Sequence, residues 1–311
     1  MASVHEGKRA ATGSRGMAVR PTVSLLVTDL DNTLWDWFEI WYRSFSALLD
    51  GVVAISGIPQ ADLEPEIRKI HQRRGTSEYS YLIGELPPLL ALHGADADLQ
   101  VIYADAINAA RVAREEVVHL YPHVYETLTA IHEAGTVIAG YTESLSFVTA
   151  ARVKKLGLDG VLDYLYSPAD HDFPEGVSTA DLRRLDDPAA YELQKTEHRH
   201  TPPGHLKPSP EVLQVMVHEL GNGASVACVG DSLMKDIAMA QQVGVFDVWA
   251  EYGQVEDRRE YALLQRVSHW TEADVQRERD ISARPHVTPT FALHESFGEL
   301  LRHFEFVPNE R

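Results

Sequence analysis

The chain has 311 residues, of which 44% are hydrophobic and 24% are charged, a composition typical of a globular protein with one large or two ordinary domains. Its formal net charge of −18 argues against nucleic acid and membrane surfaces as partners, so any phosphate site must carry its own positive charge. The single cysteine, Cys228, excludes an internal disulfide framework and favours a cytoplasmic location, and no apolar run approaches the length of a membrane span.

The first predicted strand follows a segment without signals for ordered structure. Residues 1–21 contain basic side chains but no apolar stretch behind them, which predicts a disordered N-terminal segment rather than a secretory signal. The apolar, β-rich run Val23–Thr28 then predicts a strand covered on both faces. Residues 22–35 are therefore expected to open an α/β core.

A helical pattern without convincing strands extends over residues 36–119. Trp37 and Trp41 recur at helical spacing, and further amphipathic helices are predicted over 61–74 and 98–118. We therefore expect an all-helical cap domain, inserted after the first strand of the core.

Strands and helices alternate over residues 120–305, which predicts a Rossmann-like, doubly wound parallel sheet with helices on both faces. The further strands are predicted at 136–141, 162–166, 225–229, 245–250 and 290–293. The helices are predicted at 123–134, 145–156, 209–220, 233–243 and 296–304. Residues 167–206 are predicted as a long loop insertion rich in Asp, Pro and His. Right-handed crossovers place the carboxyl ends of the strands along one edge, where such sheets bind ligands.

Two carboxylates follow the first strand directly, in the segment Asp29-Leu30-Asp31-Asn32-Thr33. In a tight loop both can turn toward one point, one as a nucleophile or ligand of a hard cation and the other as a proton donor and acceptor. An ordinary turn is the alternative interpretation, because Asp-Asn is common in turns.

Thr142 and Lys207 lie at the ends of other elements of the predicted sheet. Thr142 ends the strand 136–141 and can bind an anion together with backbone N–H groups, or simply cap the next helix. Lys207 precedes a helix, where the helix dipole disfavours positive charge. That position suits a lysine that neutralises nearby carboxylates and phosphate, and a solvated surface lysine is the alternative.

A fourth segment, Gly230 to Asp236, follows the strand 225–229. Gly230 permits a tight turn, and Asp231 is placed to bind a hard cation such as Mg²⁺. Asp236 lies in the first turns of the next helix. Helix capping by these carboxylates is the alternative interpretation.

Together the four segments resemble the motifs of the haloacid dehalogenase superfamily in its phosphatase branch, as in phosphoglycolate-phosphatase-like members. The shared pattern is Asp-x-Asp-x-Thr, a strand followed by Thr or Ser, Lys-Pro, and Gly-Asp-x-x-x-x-Asp, in this order and spacing. The helical block also falls where many members carry a helical cap.

The resemblance implies a role for each motif residue. Asp29 would attack phosphorus, and Asp31 would protonate the leaving oxygen and then activate water. The implied metal is Mg²⁺, bound by Asp29, the carbonyl of Asp31, Asp231 and, through water, Asp236. The implied phosphoryl-binding residues are Leu30, Thr142, Glu143 through its backbone N–H, and Lys207.

The implied activity is Mg²⁺-dependent hydrolysis of a small phosphorylated metabolite through an aspartyl-phosphate. A phosphotransferase or phosphomutase of the same superfamily shares the four motifs, and a non-catalytic phosphate-binding protein is a weaker alternative. Asp31 argues against dehalogenation, because halide leaves without a proton whereas an alkoxide needs one. The oligomeric state, monomer or homodimer, stays open.

Three further features lie outside the four shared motifs or depart from them. Arg74 is the candidate for contact with the leaving group, and a solvated helix end is its alternative. Glu143 stands where a small or amide residue is commoner, which makes the anion pocket acidic unless the side chain points away. The histidines of the long loop favour a polar, solvated loop over a zinc site, because no cysteine accompanies them; they are His171, His198, His200 and His205.

Overall fold

The computed structural model describes residues 19–310 except 171–172, 175, 183–186, 188, 190, 222–224, 256–257, 274–275 and 277–286. His171 and most of the predicted N-terminal segment lie outside the described residues. The described strands are β1 (Thr22–Val23), β2 (Leu25–Thr28), β3 (Val137–Tyr141), β4 (Tyr164–Ser167), β5 (Glu197–His200), β6 (Val226–Gly230), β7 (Phe246–Ala250), β8 (Phe291–Leu293) and β9 (Glu305–Phe306).

The helices fall into two groups along the chain. Between β2 and β3 lie α1 (Trp37–Ser56), α2 (Gln60–Arg74), α3 (Leu82–Glu85), α4 (Pro87–His93), α5 (Leu99–Ile102), α6 (Ala104–Val117) and α7 (Val124–Glu133). The others are α8 (Ser146–Lys155), α9 (Pro210–Gly221), α10 (Ala238–Val243), α11 (Tyr261–Val267) and α12 (Leu300–His303).

The main sheet has seven parallel strands in the order β5-β4-β3-β2-β6-β7-β8. Every residue of the central strand β2 is buried. Leu26 packs in the cluster that includes side chains of α7 and α8, whereas Leu25 and Val27 pack in the cluster with those of α9 and α10. Because successive strand residues face opposite sides, this alternation requires helices on both faces. The predicted doubly wound α/β core is therefore confirmed.

The region 167–206 is not wholly a loop, which corrects the sequence prediction. Glu197–His200 forms the edge strand β5 and pairs in parallel with β4. Its sequence, Glu-His-Arg-His, has no apolar alternation, so the usual strand signal is missing. The strand is held by backbone pairing and by the carboxylate of Asp159, which accepts hydrogen bonds from three successive N–H groups just before it.

The helix predicted over 233–243 begins differently in the structure. Leu233–Ile237 forms one π-helical turn, and regular α-helix starts only at Ala238. Ser232 caps this wider turn and separates it from Asp231 at the end of β6. Such π-helical turns are often found at functional sites.

Helices α1 to α6 share a hydrophobic cluster of their own, to which α11 also belongs. These helices are called the helical layer below. Leu263, Leu264 and Val267 of α11 pack with Ile67 and Ile70 of α2. The sequence pattern predicts no helix here and places these residues in the core stretch 120–305. The packing of α11 shows that a second, distant stretch of chain completes the helical layer.

No helix among the described residues is both long and apolar enough to cross a membrane.

Candidate active site

The loop after β2 places Asp29 at the carboxyl edge of the sheet. The Asp29 N–H donates to the carbonyl of Val229 at 2.8 Å, and the Thr33 hydroxyl donates to Asp29 Oδ2 at 3.0 Å. Asn32 has φ of 60°, a left-handed conformation that Asn tolerates better than most residues. A Cβ at position 253 would lie 1.9 Å from the Asn32 carbonyl oxygen, so only glycine allows the backbone at Gly253 to pack this closely against the loop.

Lys207 joins two carboxylates of the site. Its Nζ lies 2.5 Å from Asp29 Oδ1 and 2.7 Å from Asp236 Oδ1, and the residue is only 4% exposed. Burial alone would lower the pKa of the ammonium, but Asp236 and Asp29 outweigh it and hold the pKa well above its ordinary value. The alternative of a solvated surface lysine is therefore wrong.

Asp29, Asp231 and Asp236 converge in space, with one ligand atom from each lying within 4.8 Å of the others. Gly230 makes this possible, because a Cβ there would lie 2.2 Å from Asp236 Cγ. Burial raises the pKa of Asp29 to about 7 and that of Asp231 well above its ordinary value, and the neighbouring carboxylates add to both shifts.

The charge balance of this triad fits a divalent cation. Three carboxylates face the ammonium of Lys207, and the nearby Lys235 is paired with Glu143, which leaves a deficit of two positive charges when these groups are ionised. Mg²⁺ prefers carboxylate oxygens together with substrate phosphate and water. The residues present therefore suit the predicted metal.

Asp31 has a different partner on each carboxylate oxygen. Oδ1 accepts the indole N–H of Trp35 at 2.7 Å and lies 3.7 Å from Arg152. Oδ2 accepts the Ser144 hydroxyl at 2.5 Å and lies 3.5 Å from the Thr142 hydroxyl. Burial raises the pKa of Asp31, an effect that Arg152 opposes. Thr142 and Asp31, distant in sequence, are thus brought together.

The side chain of Glu143 turns away from Asp31 toward positive and N–H groups. Its carboxylate accepts the backbone N–H of Lys207 at 2.9 Å and pairs with Lys235 at 2.7 Å. Although burial favours the neutral acid, Lys235 dominates among the opposing effects and the pKa of Glu143 is lowered. The acidic pocket that the sequence suggested is neutralised by these contacts. The phosphoryl-binding roles of the Leu30 and Glu143 backbone stay predictions.

Arg74 is engaged within the helical layer. Its guanidinium pairs with Glu85 and lies 4.9 Å from the centre of the Tyr79 ring. A leaving-group contact by Arg74 would have to compete with this carboxylate, so that role stays a prediction.

Two charged residues beside Asp31 were not found from the sequence. Arg152 of α8, 6% exposed, forms an ion pair with Glu78, which lies in the loop between α2 and α3. Glu78 also accepts the indole N–H of Trp37 at 2.9 Å. The only sequence signal is the polar run of residues 71–81 (His-Gln-Arg-Arg-Gly-Thr-Ser-Glu-Tyr-Ser-Tyr), which includes Glu78, because Arg152 occupies an unremarkable position in an amphipathic helix.

Among the described residues of the region 167–206, no three histidine or acidic side chains have ligand atoms close enough to share one metal ion. His198 Nε2 lies 2.8 Å from the Ser167 hydroxyl, and burial lowers the pKa of His198 to about 4. Among the described residues, the acidic triad is the only cluster of three or more His, Cys, Asp or Glu residues with ligand atoms close enough to hold one metal ion.

Comparison with known proteins agrees with this architecture. The family model of the haloacid dehalogenase-like hydrolases matches residues 23–244. The chain therefore belongs to the haloacid dehalogenase-like hydrolase family. No curated protein matches its sequence.

Solved structures of the same fold include members named for different reactions. The 2-haloacid dehalogenase from Pseudomonas syringae pv. Tomato DC3000 is 18% identical with a TM-score of 0.51, the match covering 90% of this chain and 97% of that one. A phosphatase of the family from Thermococcus onnurineus is 16% identical with a TM-score of 0.45, covering 90% and 96%. The likeness to the dehalogenase concerns the fold alone, and the reaction must be argued from the site.

Proposed function

We propose that the protein is a Mg²⁺-dependent phosphomonoester hydrolase that forms an aspartyl-phosphate on Asp29. The observation that carries the proposal is the position of the buried Lys207, whose Nζ contacts Asp29 and Asp236 within the triad of carboxylates. Such a cluster concentrates positive and metal-binding groups around one nucleophile, which is what transfer of a highly charged phosphoryl group requires.

Each side chain has a part in this reaction. Asp29 attacks phosphorus and is released when water attacks the resulting acyl phosphate, and Lys207 holds the Asp29 carboxylate and a phosphoryl oxygen together. Asp29, Asp231 and Asp236, with the Asp31 carbonyl, would hold Mg²⁺, which supplies positive charge toward the phosphoryl oxygens. The Thr142 hydroxyl, 3.5 Å from Asp31, is placed to turn to a phosphoryl oxygen.

Asp31 favours phosphate ester hydrolysis over dehalogenation. Its carboxyl lies among the hydroxyls of Ser144 and Thr142, and its pKa is raised by burial. A carboxyl group with a raised pKa keeps its proton to a higher pH than an ordinary Asp, and it can protonate an alkoxide leaving group and then accept a proton from water. Departure of halide needs no such group, so Asp31 would have no part in dehalogenation.

The substrate class follows from charge and size. A net charge of −18 repels polyanions at a distance, which supports a small phosphorylated metabolite rather than a nucleic acid or membrane substrate. The cytoplasmic location suggested by the single cysteine belongs to the same proposal. A phosphomutase or phosphotransferase would use the same residues and differ in delivering a second alcohol instead of water to the phosphorylated Asp29.

A panel of phosphomonoesters tests the proposal, assayed for phosphate release with Mg²⁺ and with EDTA. Hydrolysis in Mg²⁺ that EDTA abolishes is expected, and a parallel assay with 2-chloropropionate should release no chloride. Chloride release without phosphate release would assign dehalogenation instead. Transfer of phosphate to an added alcohol with little free phosphate would assign a transferase.

A further inference from the structure

The ion pair between Arg152 and Glu78 connects the helical layer to Asp31. Arg152 belongs to α8, which follows β3 in the core, whereas Glu78 belongs to the loop between α2 and α3. Arg152 NH1 lies 3.7 Å from Asp31 Oδ1 and 3.2 Å from Glu78 Oε2, so one buried guanidinium contacts both carboxylates. Through Arg152, the loop after α2 is therefore linked to Asp31, the proposed acid of the reaction.

The loop that carries Glu78 is held firmly by α1. The Trp37 indole donates to Glu78 Oε2 at 2.9 Å, and the Trp41 indole donates to the Ser77 carbonyl at 3.1 Å. The Glu78 N–H is itself bound to the Thr76 hydroxyl at 3.0 Å. The position of the Glu78 carboxylate is therefore fixed by the helical layer, and Arg152 can reach it only while that layer lies against the core as it does in this structure.

The two oxygens of Asp31 are held by different kinds of group. Oδ1 contacts the Trp35 indole and Arg152, which are donors only and leave it no freedom to release or accept a proton from a substrate. Oδ2 contacts the hydroxyls of Ser144 and Thr142, which can donate or accept and can turn aside for a ligand. The two oxygens of Asp31 thus differ in their capacity to exchange a proton with a ligand, which Oδ2 has and Oδ1 lacks.

We infer that Glu78 and Arg152 are positioning residues that fix Asp31 Oδ1, so that Oδ2 carries the proton to the leaving group. The inference rests on the proposed function, because it assigns the acid of that reaction. Glu78 holds Arg152 in place and also offsets its charge, so that the guanidinium stays 3.7 Å from Asp31 Oδ1 and does not pull the carboxyl away from the leaving oxygen. Correct placement of the acid therefore requires the helical layer to be closed over the core.

The consequence is a selective dependence on the leaving group. An alkyl phosphate needs protonation of its leaving oxygen, whereas p-nitrophenolate leaves with little help. Loss of the pair should slow hydrolysis of glycerol 2-phosphate far more than that of p-nitrophenyl phosphate. A residue with a merely structural role would reduce both rates alike.

The test compares kcat and KM on these two substrates for Arg152→Gln, Glu78→Gln and the double variant. Each single change should lower the alkyl-to-aryl ratio of kcat by about tenfold or more, within the usual contribution of a positioned acid. The double change should lower the ratio no further than Arg152→Gln alone, because both residues act through one contact. Arg152→Lys should restore part of the ratio.

A matched control is Arg266→Gln, which removes the ion pair between α11 and Glu64 of α2. That pair also ties the helical layer to a later stretch of chain, and the alkyl-to-aryl ratio should be unchanged. If a single variant fails to fold because one buried charge is left unpaired, the double variant removes both charges and still provides the ratio.

Three results would overturn the inference. Equal losses on both substrates, or an unchanged ratio in folded Arg152→Gln, would assign the pair a structural role only. Additive losses in the double variant would show that Glu78 and Arg152 act separately. Absence of hydrolysis of either substrate by the wild-type protein would instead refute the proposed function, which distinguishes the two failures.

Discussion

Replacement of Lys207 by Met should destabilise the metal-free protein strongly. The ammonium contacts Asp29 Oδ1 at 2.5 Å and Asp236 Oδ1 at 2.7 Å, and its side chain is 3% exposed. Removing one partner of such a buried pair leaves uncompensated charge and costs about 3–5 kcal/mol. The Met side chain conserves much of the volume, so lost packing contributes little.

The assay is urea unfolding at pH 7 in EDTA, and Lys69→Met provides the control. Lys69 pairs with Glu66 on the surface of α2 with 68% of its side chain exposed, so its loss should cost no more than about 0.5 kcal/mol. Addition of Mg²⁺ should restore part of the stability of Lys207→Met, because the cation neutralises the same carboxylates. A loss below about 1 kcal/mol in EDTA would refute the assignment of Lys207 as the compensating charge of the triad.

Three further predictions concern stability, the loop and the metal. Burial lowers the pKa of His71 to about 4 from its ordinary value of 6.5, and its Nδ1 lies 2.6 Å from the Val267 carbonyl oxygen. The stabilising contribution of neutral His71 is present above pH 6.5 and is lost as the pH falls, because only the unfolded chain is then protonated. By pH 5 the wild type should lose about 2 kcal/mol more unfolding free energy than His71→Gln in urea unfolding. Equal pH dependence of the unfolding free energy in the two proteins would contradict this. Gly253→Ala should displace the loop at Asn32, whose carbonyl oxygen would lie 1.9 Å from the new Cβ; kcat should fall, and an unchanged kcat would show that the loop tolerates the shift. Asp231→Ala should weaken Mg²⁺ binding in calorimetric titration, since a carboxylate ligand is lost, and an unchanged affinity would show that the metal lies elsewhere.

The core of the site could be predicted because its residues are fixed to the ends of predictable strands. β2 and β6 are apolar runs bounded by turn residues, and Asp29 and Asp231 follow them directly. In a parallel sheet the carboxyl ends of neighbouring strands meet, so the sequence positions translate into proximity. Lys207 was named through the resemblance of its Lys-Pro segment to the family pattern, because its position before a helix also suited a solvated surface lysine.

The surroundings of Asp31 could not be predicted in the same way. Glu78 and Arg152 are separated by 74 positions and lie in different layers, and neither interrupts a periodic pattern. Their contact depends on how the helical layer sits on the core, which sequence periodicity does not encode.

Two elements of the fold were not predicted from the sequence, for different reasons. β5 has a polar sequence because an edge strand needs backbone pairing more than burial of its side chains. Helix α11 was not predicted, and its residues were included in the core stretch 120–305, although its apolar face packs on α2. Local patterns indicate which face of a helix is buried but not which partner buries it.

The role of Asp29 is the central claim, and Asp29→Asn tests it most directly. The change preserves the size of the side chain and removes the nucleophilic carboxylate next to Lys207. Purified Asp29→Asn and wild-type protein would be compared in Mg²⁺ on the phosphomonoester that the wild type hydrolyses fastest. The account predicts phosphate release at background level by a variant that still unfolds cooperatively, and appreciable turnover by the pure variant would contradict it.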